Sequence, residues 1–302
     1  MSKNFIQYEL WKDCNNKCKF CTNFLQPDVN KIESLKFVIS DLDNISEKEC
    51  DLGLIGGEFF DSQIKNKEVN ELFYKLIDTI EKKFKDHTIK RLFITSELIF
   101  DMNDYLFPFL EYISKLNIID KTVLCTSYDI KYRFHNEKRK KLWEDNMILL
   151  RIFYPKLTLH TQIILTGFFI EAVLKNEFNL KEFSKTYNTT IDYNEPQSGF
   201  YYTKAQMKEK IPDFYPTKAQ FINFMNKTIL QDHDINPDTF LIRELHADRL
   251  YYSFNGKPCV ITNRHKKENF YIKAEEGKNQ LGFYDSDINM ADFAQEYLES
   301  II

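Results

Sequence analysis

The sequence predicts an α/β fold: six parallel strands, each followed by a helix, forming an open, partial barrel over residues 1–195, with an α/β extension over 196–302. Two observations carry this. Short apolar runs alternate with amphipathic helical stretches through the first two thirds of the chain, and parallel pairing follows because each return crossover needs a helix-length connection. The rhythm then stops at Pro196, beyond which prolines and a hairpin signal take over. A chain of 302 residues can hold one large α/β unit with an extension.

Each element can be read in turn. FIQYELW (5–11) is strand-like, and KIESLKFVISDLDNI (31–45) sets Ile32, Leu35, Val38, Ile39 and Leu42 on one helical stripe. CDLGLIGG (50–57) is the second strand, and the helix over 70–84 has Leu72, Leu76 and Ile80 in register. IKRLFITS (89–96), a helix near 103–116, KTVLCTSYD (121–129) and a charged helix near 136–145 continue the pattern. The most apolar window, 157–174, is long enough to raise the question of a membrane span. His160, Gln162 and Glu171 interrupt it and Gly167 splits it, so it reads as a strand over 157–166 and a helix whose apolar face carries Phe168, Phe169, Val173 and Leu174. NTTIDYNEP (188–196) is a sixth strand stopped by Pro196. The extension holds a helix near 217–231 with Phe221, Phe224, Met225 and Leu230 apolar, a hairpin over 248–262 around Asn255-Gly256, and a closing helix.

Bulk properties narrow the function. A formal charge of −4, from 41 basic and 45 acidic residues, gives no net field for a nucleic-acid backbone, which argues against non-specific nucleic-acid binding. MSKNFIQYEL lacks the basic and apolar regions of a secretory signal, so a cytoplasmic, reducing location with free or metal-bound cysteines is expected, with no membrane partner. The basic run HNEKRKKLWEDN (135–146) reads as a solvated helix face.

In parallel α/β folds the chemistry sits at the C-terminal ends of the strands. Cys14, Cys18 and Cys21 follow the first strand, three of six cysteines within eight positions and with no fourth ligand nearby. A four-iron, four-sulfur cluster takes one Cys per iron, so three thiolates leave one iron open to a ligand. Two alternatives stand beside it. Structural zinc wants four ligands, and the six histidines are scattered; a catalytic thiol would use one cysteine and leave two idle. Gly56, Gly57 and Glu58 end the second strand, where glycines permit close approach of backbone to a ligand and a carboxylate can accept from an ammonium.

Cys14-x-x-x-Cys18-x-x-Cys21, with Phe20 before the last Cys and Gly56-Gly57-Glu58 about one βα unit later, resembles the motifs of the radical S-adenosylmethionine (radical SAM) superfamily over roughly residues 8–195. The resemblance implies a partial TIM-like barrel and a [4Fe-4S] cluster on Cys14, Cys18 and Cys21. It implies S-adenosyl-L-methionine (AdoMet) chelated at the open iron by its amino and carboxylate groups. Reductive cleavage then gives methionine and a 5′-deoxyadenosyl radical that abstracts hydrogen from a substrate, with an electron donor such as flavodoxin or ferredoxin. Phe20, Gly56, Gly57 and Glu58 become cofactor contacts, the last three toward the methionine amino group. Thr95, Ser96 and Ser127 are polar contacts at the third and fourth strand ends, with Arg133 a bidentate partner for the carboxylate and Tyr193 and Asn194 on the adenine side. Cys50 and Cys125 read as buried and inert. Cys259, alone in the last third, speaks against an auxiliary cluster there. A peptide or protein is the first expectation for the substrate and a nucleotide or nucleic-acid base the second; a non-catalytic iron–sulfur or zinc module is the non-enzyme alternative.

Overall fold

The computed structural model describes residues 5–16, 18, 30–45, 49–61, 64–194, 196, 208–228, 249–254 and 257–262, with 290, 293, 296, 297 and 300. Strands β1 (Phe5–Glu9), β2 (Cys50–Ile55), β3 (Ile89–Thr95), β4 (Thr122–Tyr128), β5 (Thr158–Ile164) and β6 (Thr189–Asn194) alternate with helices. The helices are α1 (Lys31–Asp43), α2 (Lys67–Lys85), α3 (Leu106–Lys115), α4 (Glu137–Phe153), α5 (Gly167–Leu174) and α6 (Leu180–Tyr187). The extension supplies α7 (Lys218–Thr228), β7 (Arg249–Phe254) and β8 (Lys257–Thr262). Residues 290, 293, 296, 297 and 300 are helical, as the closing helix requires.

The strands form one sheet in the order β6-β5-β4-β3-β2-β1-β7-β8. The first six are parallel, as the helix-length crossovers require. β7 pairs parallel with β1 and antiparallel with β8, with Phe254 opposite Lys257, the register of a two-residue turn. Asn255 and Gly256 themselves lie outside the described residues, as does Leu230. The hairpin of the extension thus prolongs the sheet beyond β1.

Alternation along each strand sets two faces. Ile6, Tyr8, Leu52, Leu54, Leu92, Ile94, Leu124 and Leu159 are buried in the main core beneath the helices. Gln7, Phe93, His160 and Gln162 alternate with them and are half-buried on the opposite face. The stripe expected on α1 is buried at Leu35, Val38, Ile39 and Leu42, and Leu76 and Ile80 of α2 are fully buried. Asparagine starts four helices: the side chains of Asn30, Asn66, Asn136 and Asn179 accept from backbone N–H groups of the first turn of α1, α2, α4 and α6.

Two helices differ from the sequence reading. α4 runs on to Phe153 rather than ending near 145, because Trp143, Met147 and Leu150 continue a buried stripe past the charged run. α6 has no counterpart among the expected elements; Leu180 and Phe183 are its buried residues, and Asn188 in the left-handed region ends it. Among the described residues, no helix is long and apolar enough to cross a membrane.

Candidate functional site

The loop after β1 is held by backbone and by side chains together. Leu10 N donates to Ile55 O at 3.0 Å, Gly57 N to Trp11 O at 2.6 Å and Glu58 N to Asp13 O at 2.9 Å, so β1 and β2 stay zipped beyond their strand ends. Trp11, fully buried between Phe59 and Phe73, donates its indole N–H to Glu58 O at 3.1 Å and anchors the start of the loop. This zipper explains the glycine pair. A Cβ at Gly56, where φ is 139°, would lie 2.0 Å from Trp11 O, and one at Gly57 1.9 Å from Asp13 O. The close approach they permit is to the cysteine loop itself, not only to a ligand.

Within that loop Asn16, 1 % exposed, holds two sulfurs: its backbone N–H donates to Cys14 Sγ at 3.4 Å and its Nδ2 to Cys18 Sγ at 3.1 Å. Arg139 of α4 reaches across to donate to Asn16 Oδ1 at 2.7 Å. One member of the basic run therefore braces the cysteine loop, while Glu137, Lys138 and Lys141 are exposed as expected. Burial, followed by the Glu97 carboxylate, pushes the Cys14 thiol well above its ordinary value. Coordination to a metal reverses that preference and releases the proton.

Glu58 does not face open space. Its side chain is fully buried; one oxygen accepts from Phe59 N at 2.9 Å and Phe60 N at 2.8 Å, and the other accepts from Glu97 N and from Ser96 Oγ at 3.1 Å. It ties the end of β2 to the end of β3. Burial and the neighbouring Glu97 carboxylate raise its pKa to about 8, against the pull of these donors. The carboxylate that lines the cavity is Glu97, whose Oε2 accepts from Cys14 Sγ at 3.6 Å and whose Oε1 is buried without a hydrogen-bond partner. Burial lifts Glu97 to about 7, with Arg133 and Arg139 opposing the rise. Backbone geometry explains its direction: Leu98, fully buried, sits at φ 56°, and Asn146 Nδ2 pins the turn by donating to Leu98 O at 3.1 Å and Phe100 O at 2.8 Å. A left-handed leucine costs on the order of 1–2 kcal/mol, offset here by burial and by these bonds.

Arg133, also buried, donates to Ser127 Oγ, to Glu97 O at 2.8 Å and to Thr126 Oγ1 at 3.4 Å, which leaves its Nε buried without a partner. These groups converge. Cys14, Cys18, Gly56, Gly57, Thr95, Ser96, Ser127 and Arg133 line one cavity of about 150 Å³ at the ends of β1 to β4, together with Glu97, Cys125, Thr126 and Gln162. Cys21 and Phe20 lie outside the described residues, and among the described residues no three Cys, His, Asp or Glu side chains are grouped to hold a metal ion. Thiolates are the donor set that suits an iron–sulfur cluster or zinc, and the cavity adds an acceptor at Glu97 and a donor at Arg133 that lack partners. The residues present therefore fit a thiolate-bound cluster beside a ligand carrying both charges. The cavity of about 150 Å³ is smaller than the about 300–1,000 Å³ of full ligand pockets, so its described walls have room for only part of a ligand of that size.

Two expectations need correction. Tyr193 does not line the adenine side: it is 2 % exposed and packs edge-on against Phe224 of α7, on the opposite face of β6. Cys125 is buried, as expected, but it borders the cavity, whereas Cys50 is simply core. Sequence reasoning passes over Glu97, although it closes the ITSE segment, and over Gln162, whose only signal is a polar residue interrupting an apolar run.

The chain is similar in structure to native anSMEcpe with bound AdoMet and Cp18Cys peptide, with a TM-score of 0.51 at 15% sequence identity, over 74% of this chain and 58% of that one. The two chains share one fold. The partial barrel expected from the sequence is borne out, and the likeness read from two short motifs leads to the fold of a protein that carries AdoMet. This chain spans a little over half the length of that neighbour. Family models and curated proteins give no match to the sequence.

Proposed function

We propose that this protein is a radical SAM enzyme in which Cys14, Cys18 and Cys21 hold a [4Fe-4S] cluster with one iron open to AdoMet. The observation that carries the reading is the convergence of Cys14, Cys18, Gly56 and Gly57 with the ends of β3 and β4 on one cavity. The shared fold with an AdoMet-bound structure supports it. When bound, the reduced cluster supplies the electron that cleaves the AdoMet sulfonium. The chain's own residues bind and orient. Asn16 and the backbone zipper hold the thiols at the strand ends. Glu97 offers its unpartnered oxygen to the AdoMet ammonium, a role that the geometry favours over the inward-turned Glu58. Arg133, already tied to Ser127 and Thr126, offers Nε to the carboxylate.

A peptide is the substrate we favour over a nucleotide, because the structural neighbour carries the Cp18Cys peptide. Anaerobic reconstitution with iron and sulfide is expected to give about four irons per chain, charge-transfer absorbance, and a reduced-cluster EPR signal that shifts on adding AdoMet. Replacing Cys14, Cys18 and Cys21 by Ala abolishes all three, and Glu97→Gln raises the AdoMet concentration needed for the EPR shift while iron content stays unchanged. Stoichiometric zinc with no iron uptake would instead support the non-catalytic metal module.

A further inference from the structure

Arg133 enters the cavity from the loop 129–133, between β4 and α4. One aspartate turns that loop from within. Asp129, fully buried, accepts through Oδ1 from Lys131 N at 2.8 Å and from Tyr132 N, and through Oδ2 from Thr166 Oγ1 at 2.9 Å. A second aspartate holds the loop from outside: Asp213, in the extension, pairs Oδ2 with Lys131 Nζ and accepts through Oδ1 from the Tyr132 hydroxyl. Its own segment is fixed in turn. Phe168 N donates to Asp213 O at 2.8 Å and Gly167 N to Phe214 O at 3.1 Å, which uses N–H groups in the first turn of α5 that have no partner within the helix. Pro212 and Pro216 bracket the segment and restrict its backbone. Tyr132, Phe214 and Tyr215, all buried, form a small core of their own, apart from the main one, with Phe168 and Ile211 packed against it.

The rings account for the cohesion of this cluster, because an ion pair with Lys131 43 % and Asp213 35 % exposed contributes little stability. What Asp213 adds is direction, since its two bonds land on the consecutive residues immediately before Arg133. Arg133 Nη1 is tied to Ser127, and Nη2 to Glu97 O and Thr126. With that end of the guanidinium pinned, the backbone position of residue 133 decides where Nε, buried and unpartnered, points. We propose that Asp213 is a positioning residue for AdoMet: through Lys131 and Tyr132 it sets the loop that directs Arg133 at the AdoMet carboxylate, so that the extension belongs to the cofactor site. This deepens the AdoMet reading above and rests on it. Cofactor binding and the docking of residues 213–215 then favour each other, because coupling between two sites is reciprocal.

The test is AdoMet affinity, read by equilibrium dialysis on the oxidised, cluster-loaded full chain, where no reductant is present and no cleavage occurs. Decarboxylated AdoMet is the second probe, since it keeps the ammonium and the adenosine and lacks the group assigned to Arg133. Asp213→Ala is expected to weaken AdoMet about fivefold or more, with the affinity for decarboxylated AdoMet and the iron content unchanged. In the metal-free chain the same variant should speed hydrogen exchange at the Lys131 and Tyr132 amides, which donate to Asp129. Tyr132→Phe keeps its ring in the small core and removes one tie to Asp213, so it should weaken AdoMet in the same direction; it carries the test if circular dichroism finds Asp213→Ala unfolded. Unchanged AdoMet affinity in a folded variant, or unchanged exchange of the two amides, overturns the proposal. Equal losses for the two probes also overturn it, because Asp213 then serves the fold in general and not the carboxylate. A wild-type chain that takes up its cluster and binds no AdoMet sinks the AdoMet reading and this proposal with it, whereas failure of this proposal alone leaves wild-type binding intact.

Discussion

Gly57 has no room for a side chain, because a methyl group there would collide with the Asp13 carbonyl at 1.9 Å and open the zipper that holds the cysteine loop. Gly57→Ala is expected to cost about 1–3 kcal/mol or more and to lower the iron bound on reconstitution, read by a thermal melt and an iron assay; full iron loading contradicts this. Glu58 makes a second residue-level prediction. Its pKa is raised from 4.5 to about 8, so the folded chain holds the proton more tightly than the unfolded one. The stability this contributes is complete below pH 4.5 and is lost as pH rises toward 8. Melts of the metal-free chain should therefore fall in midpoint across that window, and Glu58→Gln should flatten the difference between its ends. A midpoint that climbs with pH speaks against the buried, proton-holding carboxyl. Of these residues the sequence makes Cys14, Cys18, Gly56 and Gly57 legible, since their spacing is local. Glu97 is not, because its orientation depends on a left-handed Leu98 and on Asn146, forty-odd residues away, and neither leaves a mark in the ITSE segment.

At the scale of elements, α4 joins the cysteine loop to the core. Its Arg139 reaches Asn16, and its fully buried Trp143 stacks on Phe183 of α6, contacts Tyr128, Phe134 and Tyr187, and donates to Thr126 Oγ1 at 3.1 Å. Trp143→Ala should cost about 3–5 kcal/mol, measured by denaturant unfolding. A loss below about 1 kcal/mol means that α4 and α6 pack by other contacts. Periodicity makes the strands and most helices readable because one face of each is buried. It fails where composition masks it. The Lys and Arg run hides the first turns of the stripe that carries α4 to Phe153, and α6 is only eight residues long, with two buried positions, too few to mark a period.

For the whole molecule, the parallel order of β1 to β6 brings residues far apart in sequence to one end of the sheet, with the cysteine loop, the glycine pair, Glu97 and Arg133 around one cavity. The sequence predicts this convergence through the rule that parallel α/β folds use their strand ends. It does not reveal that β7 pairs with β1, because strand pairing across more than two hundred residues has no local signal. The central claim is that this convergence supports reductive cleavage of AdoMet. Its most direct measurement is 5′-deoxyadenosine release from the anaerobically reconstituted chain with AdoMet and dithionite. The account predicts release that depends on reductant and disappears when Cys14, Cys18 and Cys21 are replaced by Ala; a chain that takes up its full cluster, binds AdoMet and releases none would contradict it.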